Sequence, residues 1–430
     1  MRAAIYTLGC KVNQYETREI AQLLTNNGYF VVNHKENADV YIVNSCTVTA
    51  ESTRKTRQAV RHLKTLHPNS VVVLTGCVPQ AFPEEALSVN EADIIIGNKN
   101  NGKIVSVLNK YFENHKAIRD IEQHDNDEEF SGTIISEFSG HTRAFVKIQD
   151  GCDRFCSYCA IPYARGRSRS KKADVVKDEV HALSKNGFKE IVFVGINLSS
   201  YGRDIGLTIA DPIKIAENTD GVERIRLGSL EPDHITDDII AELSQCSKLC
   251  PQFHISLQSG SNSVLKRMNR HYTAEEYCKI AENLRKAFPD ASITTDIIVG
   301  FPGETDEEFK ETVEFVKKVR FEKVHVFPFS VRPGTRAAKM ENQISNETKN
   351  KRASQLTEVC NKIRAEIFAS MIGKSFSVLF EAPKKGLQCG YTKNYTPVRI
   401  KSGEKLTGLI ANVKITGCTD EYCIGEETEI

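Results

Sequence analysis

The chain has 430 residues, a formal net charge of +1, and 40% hydrophobic and 26% charged residues. That balance is close to the globular average, excludes a fibrous, disordered or membrane-embedded class, and leaves room for two or three domains. Net charge alone announces no nucleic-acid binder, so local basic runs must carry that argument. The longest strongly apolar runs, residues 70–74 and 293–300, are too short to span a bilayer and read as buried strands. The N-terminus enters a strand-like segment with no signal h-region, which predicts a cytoplasmic protein without membrane attachment. In a reducing cytosol, 13 cysteines are metal ligands or small buried hydrophobes before they are disulfides. Cys246, Cys250, Cys278 and Cys360 lie in helix-like segments and are read as packing residues.

Residues 1–125 read as an α/β domain. Short aliphatic runs at 5–8, 40–43, 71–74 and 94–96 alternate with helix-length polar segments. A helix over 16–26 places Ile20, Leu23 and Leu24 on one face and stops at Gly28. A mainly parallel sheet with crossover helices follows. Three of its strands end in a cysteine: Cys10 in LGC, Cys46 in NSC and Cys77 in TGC. Ligands of open α/β sheets gather beyond the carboxyl ends of the strands, so these three thiols are expected to converge. They suit an iron–sulfur cluster with one open iron; three buried cysteines or a zinc site are the other readings.

Residues 126–141 are polar and acidic at their start and read as a linker or solvated loop. From 142 to 372 the pattern is a series of strand and helix pairs. Strands are expected at 144–148, 191–194, 224–227, 253–257, 293–299 and 324–329, with helices at 174–184, 237–243, 273–287 and 305–319. Six such units suggest a partial (βα)6 barrel rather than a closed eight-unit one. The loop after its first strand is GCDRFCSYC, residues 151–159, with Cys152, Cys156 and Cys159 at spacings that let three soft thiolates face one centre. Three thiolates on a cubane leave one iron open to the amine and carboxylate of an amino acid. A structural zinc site usually recruits four protein ligands, and the next histidine is His181.

Other strand ends carry candidate ligand contacts: Asn197 after the second, Glu231 after the third, Gln258 after the fourth, and Gly300 with Glu304 after the fifth. Each also fits an ordinary turn or cap. Arg165, Arg167, Arg169, Lys171 and Lys172 form the densest basic run, where an RNA backbone is expected to approach unless the run is simply a solvated loop. A helix over 345–372 closes this part. Residues 373–430 alternate short strands with glycines and predict a small OB-like β-barrel, in which Tyr391, Lys393, Asn394 and Tyr395 offer stacking and phosphate contacts.

Taken in order, TLGCKVNQYET, NSCTVT, IQDGCDRFCSYCAIPYARGRSRS, GSLEP, LQSGSNSVLKRMNRHY, DIIVGFPGET and FSVRPGT resemble the methylthiotransferase family of radical S-adenosylmethionine (SAM) enzymes over essentially the whole chain. The first three motifs look most like the branch that acts on N6-threonylcarbamoyladenosine at position 37 of tRNA. Sibling branches act on N6-isopentenyladenosine in tRNA and on an aspartate of a small-subunit ribosomal protein. Small departures, Ser45 for Thr, Ala160 for Ile and Val331 for Pro, remove no ligand. The resemblance implies a 4Fe-4S cluster on Cys152, Cys156 and Cys159 that cleaves SAM, and an auxiliary 4Fe-4S cluster on Cys10, Cys46 and Cys77 that delivers sulfur. It further implies a TRAM-like terminal barrel, an anticodon stem-loop as partner, and an external electron donor and sulfur source. A non-catalytic iron–sulfur RNA-binding protein is the alternative of another class.

Overall fold

A computed structural model describes residues 1–136 and 142–428. Its N-terminal part is a six-stranded, wholly parallel sheet in the order Phe30–Val32, Arg2–Thr7, Val40–Ser45, Val71–Gly76, Ile94–Ile96, Ile118–Asp120. Parallel neighbours need crossovers, and the helices Lys11–Asn26, Ala50–Leu66 and Ile104–Asn114 supply them. Helices cover both faces, so the central strands read as unbroken aliphatic runs. Every residue of Val40–Ser45 and Val71–Gly76 is buried. Alternate side chains feed two cores, Ile42, Val73 and Ile94 on one face and Val43, Leu74 and Ile95 on the other. The edge strands Phe30–Val32 and Ile118–Asp120 escaped the sequence pattern because each is three residues long and only partly buried.

The second part is a partial barrel whose six parallel strands are Arg143–Lys147, Glu190–Val194, Arg224–Leu227, Gln252–Ile255, Ser292–Val299 and Lys323–Pro328. The ladder divides at Gly228: Arg224–Leu227 pairs with Glu190–Val194, and its continuation Ser229–Leu230 pairs with Gln252–Ile255. Among the described residues no ladder joins the first strand to the last, so the barrel is open on that side. The helices Ala173–Lys185, Ala210–Glu217, Asp237–Ser244, Ala274–Ala287 and Asp306–Val319 accompany the strands. Thr273 and Thr305 open the last two with full capping boxes to Glu276 and Glu308.

Strand alternation sends Ile191, Phe193, Ile225, Leu227, Phe253, Ile293 and Ile297 into the large outer core. The intervening residues face the lumen, and many are polar: Arg143, Glu190, Arg224, Arg226, His254, Asp296 and His325. The N-terminal sheet reaches into this lumen. Val12, at the start of its first helix, packs against Val192 and Val194. Part of the segment expected to be solvated lies against protein: the Phe130 ring sits 5.5 Å from Lys147 Nζ and 5.4 Å from Lys171 Nζ, and Ile135 is buried in the outer core. Residues 137–141 of that segment lie outside the described residues.

The helix Asn346–Ala369 leads to a closed five-stranded barrel of Ser375–Lys384, Leu387–Thr392, Pro397–Ile400, Ile410–Cys418 and Cys423–Glu427. Phe368 from the helix joins its core with Val378, Phe380, Val398 and Val413. The turn between the second and third of these strands docks into the floor of the larger barrel. Arg224 donates to the carbonyls of Tyr391 and Ser377, Arg226 to that of Lys393, and Ser292 Oγ to that of Asn394 at 2.6 Å. Tyr391 and Tyr395 stack with ring centroids 4.6 Å apart, under the guanidiniums of Arg143 and Arg226. This corrects the expectation that the two rings are free to stack on RNA bases: their partners are arginines of the barrel strands, which the sequence could not pair with them. Among the described residues no helix is long and apolar enough to cross a membrane.

Candidate cofactor site

The loop holding Cys152, Cys156 and Cys159 is tied at its base. Gln149 and Asp150 pair antiparallel with Ser170 and Arg169, so residues 151–168 leave and return at one point. Gly151 has φ +73°, and a Cβ there would collide with the Arg167 carbonyl, so the sharp exit from the strand requires glycine. Cys152 N–H donates to Gly166 O at 3.1 Å, Ser157 N–H to Met268 O at 2.9 Å, and Cys159 N–H to Cys156 O at 3.0 Å. Arg270 donates to Cys156 Sγ at 3.3 Å and pairs with Glu231. Burial pushes the Cys152 thiol up to about 12 and the Cys159 thiol well above its ordinary value. At Cys152 and Cys159 metal loading must therefore displace protons.

The second triad is assembled by the sheet. Cys10, Cys46 and Cys77 follow three adjacent parallel strands, and Gly9, at φ +111°, brings its backbone so close that a Cβ would lie 2.7 Å from Cys46 Cβ. Asn13, buried on the first helix, accepts from Cys10 Sγ at 3.2 Å and donates to Ser45 O at 3.0 Å, binding the strand ends together. Arg165 donates to Cys77 Sγ at 3.2 Å and forks onto both carboxylate oxygens of Glu16. Burial raises the Cys77 thiol to about 12, against the opposing pull of Arg165.

All 13 cysteines are free thiols. A cubane, with its irons at separate corners, asks the thiolates to stand around a larger body. The two thiol triads, each with a buried guanidinium on one sulfur, fit that group.

A cavity of about 260 Å³ connects the parts. Cys152, Cys156, Cys159, Glu231, Gln258 and Arg270 line one side, and Val48 and Thr49, just beyond Cys46, line another. Ile298, Phe327 and Phe329 make it largely apolar, while Asp296 and Arg154 add charge. The N-terminal sheet is held at the rim by Arg332, which donates to Thr47 Oγ1 at 3.1 Å and Thr53 Oγ1 at 2.9 Å, and by Ser330 Oγ, which accepts from Ala50 N–H at 3.1 Å. Burial raises the Glu231 carboxyl, with Arg270 pulling the other way. Gln258 adopts φ +69°, a conformation costly for a non-glycine residue. A larger hollow, about 700 Å³, lies beside Phe155 and Tyr163, but its lining includes none of the six cysteines.

The other expected contacts stand elsewhere. Asn197 lines a neighbouring polar hollow with Arg154 and His234, its Oδ1 buried without a partner. Gly300 and Glu304 are outside the cavity lining: Glu304 accepts from Gly300 N–H at 2.9 Å and from Arg352 of the long helix at 2.7 Å, which fixes the turn. The basic run is also corrected. Arg165, Arg169 and Lys171 are buried, paired with Glu16, Asp150 and Glu179; only Arg167 and Lys172 of the five are exposed. Glu16 lies on a helix 149 residues away in sequence and Glu179 on the helix that follows the run, so composition showed the cations alone. Arg270 and Arg332 escaped the sequence pattern, although each sits inside a motif quoted above, NRHY and SVRPGT.

Comparison with known proteins agrees with this architecture. Residues 146–316 match the model of the radical SAM superfamily, and residues 2–97 that of the uncharacterized protein family UPF0004. The chain is 38% identical to the threonylcarbamoyladenosine tRNA methylthiotransferase MtaB of Bacillus subtilis (98% of this chain, 95% of that one). It is 40% identical to the MtaB of Thermotoga maritima, with the same coverage. A tRNA-2-methylthio-N(6)-dimethylallyladenosine synthase of Clostridium botulinum is 35% identical over 98% of this chain and 96% of that one. In fold, the chain is similar to the radical SAM methyltransferase TsrM of Kitasatospora setae, with a TM-score of 0.59 at 14% identity, covering 90% of this chain and 80% of that one. Near-full-length identity, the two family matches and the paired cysteine triads together establish that the chain belongs to the radical SAM methylthiotransferases, the enzymes that use SAM and two 4Fe-4S clusters.

Proposed function

We propose that this enzyme adds a methylthio group to carbon 2 of N6-threonylcarbamoyladenosine at position 37 of tRNA. The observation that carries the reading is the single cavity bordered by the Cys152, Cys156, Cys159 loop and by the residues that follow Cys46. Cys152, Cys156 and Cys159 would hold the cluster that engages SAM, and Cys10, Cys46 and Cys77 the cluster that delivers sulfur. When bound, these groups supply the electron, the hydrogen abstraction at carbon 2, the methyl group and the sulfur.

The chain's own residues bind, orient and exclude water. Arg270 spans Cys156 and Glu231, so one guanidinium fixes both the loop and an acid poised for a ligand amine. Glu231 and Gln258 are the SAM contacts that this geometry favours; Asn197, through its unpartnered Oδ1, serves the adjoining hollow. Ile298, Phe327 and Phe329 provide a dry wall for an extruded base. An anticodon loop suits the site because its bases are already exposed, which lowers the unstacking cost of a few kcal/mol. We place the reaction in the cytoplasm, with external electron and sulfur donors; a chain of 13 cysteines whose triads serve as metal ligands suits a reducing compartment.

The test is nucleoside mass spectrometry on tRNA carrying threonylcarbamoyl- and dimethylallyladenosine (isopentenyladenosine), incubated anaerobically with reconstituted enzyme, SAM and reductant. A methylthio group on threonylcarbamoyladenosine alone is the expected result. Gain only on dimethylallyladenosine would overturn the substrate, and deoxyadenosine without either product would point to a protein target.

A further inference from the structure

The polar hollow beside the cavity holds none of the six cysteines, yet its walls are firmly built. It measures about 500 Å³, its lining is polar or charged throughout, and Arg154 borders both it and the cavity. One wall is the turn after the second barrel strand. Gly202, at φ +86°, folds that turn so tightly that a Cβ would lie 2.2 Å from the Leu207 carbonyl. Gly202 N–H donates to Ser170 Oγ, and Asp204 accepts from Ser170 N–H, both at 2.8 Å. Ser170 closes the base of the cysteine loop, so the backbone of Arg203, between these two anchors, is fixed beside that loop.

The acids around the hollow are already engaged. Asp153 accepts from Arg167 at 3.1 Å, Asp204 from Ser170, and Asp233 pairs with Arg154. Arg203 meets no carboxylate among the described residues. Its guanidinium lies 3.0 and 3.1 Å from the two ring nitrogens of His234, and that of Arg154 lies 2.9 Å from one of them. An imidazole offers at most one acceptor nitrogen, so two guanidiniums share one lone pair and Arg203 keeps most of its donors open. A second, independent feature is Asn197. It is 3% exposed and lines the hollow, and its Oδ1 has no hydrogen-bond partner among the described residues. A buried acceptor of that kind is unfavourable until a donor reaches it.

Open guanidinium donors suit the oxygens of an anion, and an unmet acceptor suits a hydroxyl. The RNA backbone carries both in each nucleotide, a phosphate and a ribose 2′-hydroxyl. Resting on the tRNA substrate proposed above, we infer that the hollow receives the sugar–phosphate backbone beside the extruded adenosine, with a phosphate on Arg203 and a ribose hydroxyl on Asn197. The base then enters the apolar cavity past Arg154, while its backbone stays in the polar hollow.

Fluorescence anisotropy tests this with the reconstituted enzyme, without reductant, and an anticodon stem-loop RNA carrying threonylcarbamoyladenosine at position 37. Arg203 is exposed, so its replacement leaves the core intact. Arg203→Gln should weaken binding about tenfold and flatten the slope of log affinity against log salt by about 0.7, as for one single-strand phosphate contact. RNAs with an uncharged methylphosphonate at one or the other linkage flanking position 37 extend the test. At one linkage wild type should lose about tenfold and Arg203→Gln nothing further, since both changes remove the same contact. A 2′-deoxy sugar beside that linkage should cost wild type about threefold, and no cost would overturn the contact to Asn197. Full RNA affinity in Arg203→Gln overturns the inference, as do additive losses at both linkages. Loss of SAM affinity with RNA binding intact, read by equilibrium dialysis, would give the hollow to the carboxylate of SAM and overturns it too. A wild type that prefers dimethylallyladenosine RNA, with the same dependence on Arg203, supports this inference and overturns the substrate proposed above. A wild type that binds neither RNA overturns both.

Discussion

The Cys152, Cys156, Cys159 triad occupies one loop, whereas Cys10, Cys46 and Cys77 are gathered from three strand ends dozens of residues apart. The loop triad is set by local devices, a two-residue ladder and Gly151, and would keep its spacing in many contexts. The strand-end triad exists only while the parallel register aligns Asn44 with Thr7 and Thr75, and while Asn13 bridges the strand ends. Each triad nonetheless receives a buried guanidinium from the barrel: Arg270 for the loop and Arg165 for the strand ends. Spacing in sequence and support in space are therefore separable properties of a thiol triad.

Separating the triads by mutation should give the largest effect. Cys156→Ala is expected to abolish deoxyadenosine formation, and Cys46→Ala to retain it while losing methylthio product. Iron content should fall from about eight per chain to about four in either variant. A Cys46→Ala enzyme that still makes product would end the assignment of the second triad.

Next come the supports. Arg165→Met leaves Glu16 and Asp150 buried with less compensation and should destabilise the protein by about 3–5 kcal/mol in denaturant unfolding. Arg167→Ala, exposed two residues away, should change stability by less than about 0.5 kcal/mol. Similar costs for the two would show that the basic run is solvated after all.

A smaller effect belongs to the seam between the two barrels. Burial raises the Glu322 carboxyl to about 7, opposed by the hydroxyl of Thr396 that it accepts at 2.8 Å. A carboxyl raised on folding favours the folded state below the unfolded value of 4.5, and that contribution is lost as pH rises through about 7. Glu322→Gln should therefore match wild type near pH 4 and be the more stable by up to about 3 kcal/mol at pH 8. Parallel stability curves across that range would refute the burial argument.

The mildest probe is chemical. In cluster-free protein at pH 7.5, iodoacetamide should label the exposed Cys10 first, and the buried Cys46 and Cys77 much more slowly. Equal rates read by peptide mass spectrometry would mean that the sheet end is open.

Much of this site was legible because its devices are local. The loop cysteines are close in sequence, and the strand-end cysteines follow aliphatic runs whose burial on both faces makes them plain. The edge strands Phe30–Val32 and Ile118–Asp120 were not legible, being too short and too exposed to show a period. The basic run misled because a cation's partner is invisible in composition: Glu16 approaches Arg165 only after the N-terminal sheet packs on the barrel, and Glu179 reaches Lys171 only when the next helix folds back on it. Glu304 misled for the same reason, since Arg352 arrives from a helix that starts some forty residues later.

By itself the sequence determined the element types, the six thiols and the order of the three parts, because periodicity, glycine and cysteine spacing act through near neighbours along the chain. Only the tertiary structure decided which arginine meets which sulfur and which tyrosines are consumed in docking. Those outcomes depend on charges brought together from distant segments, and such pairing is a property of the packed fold.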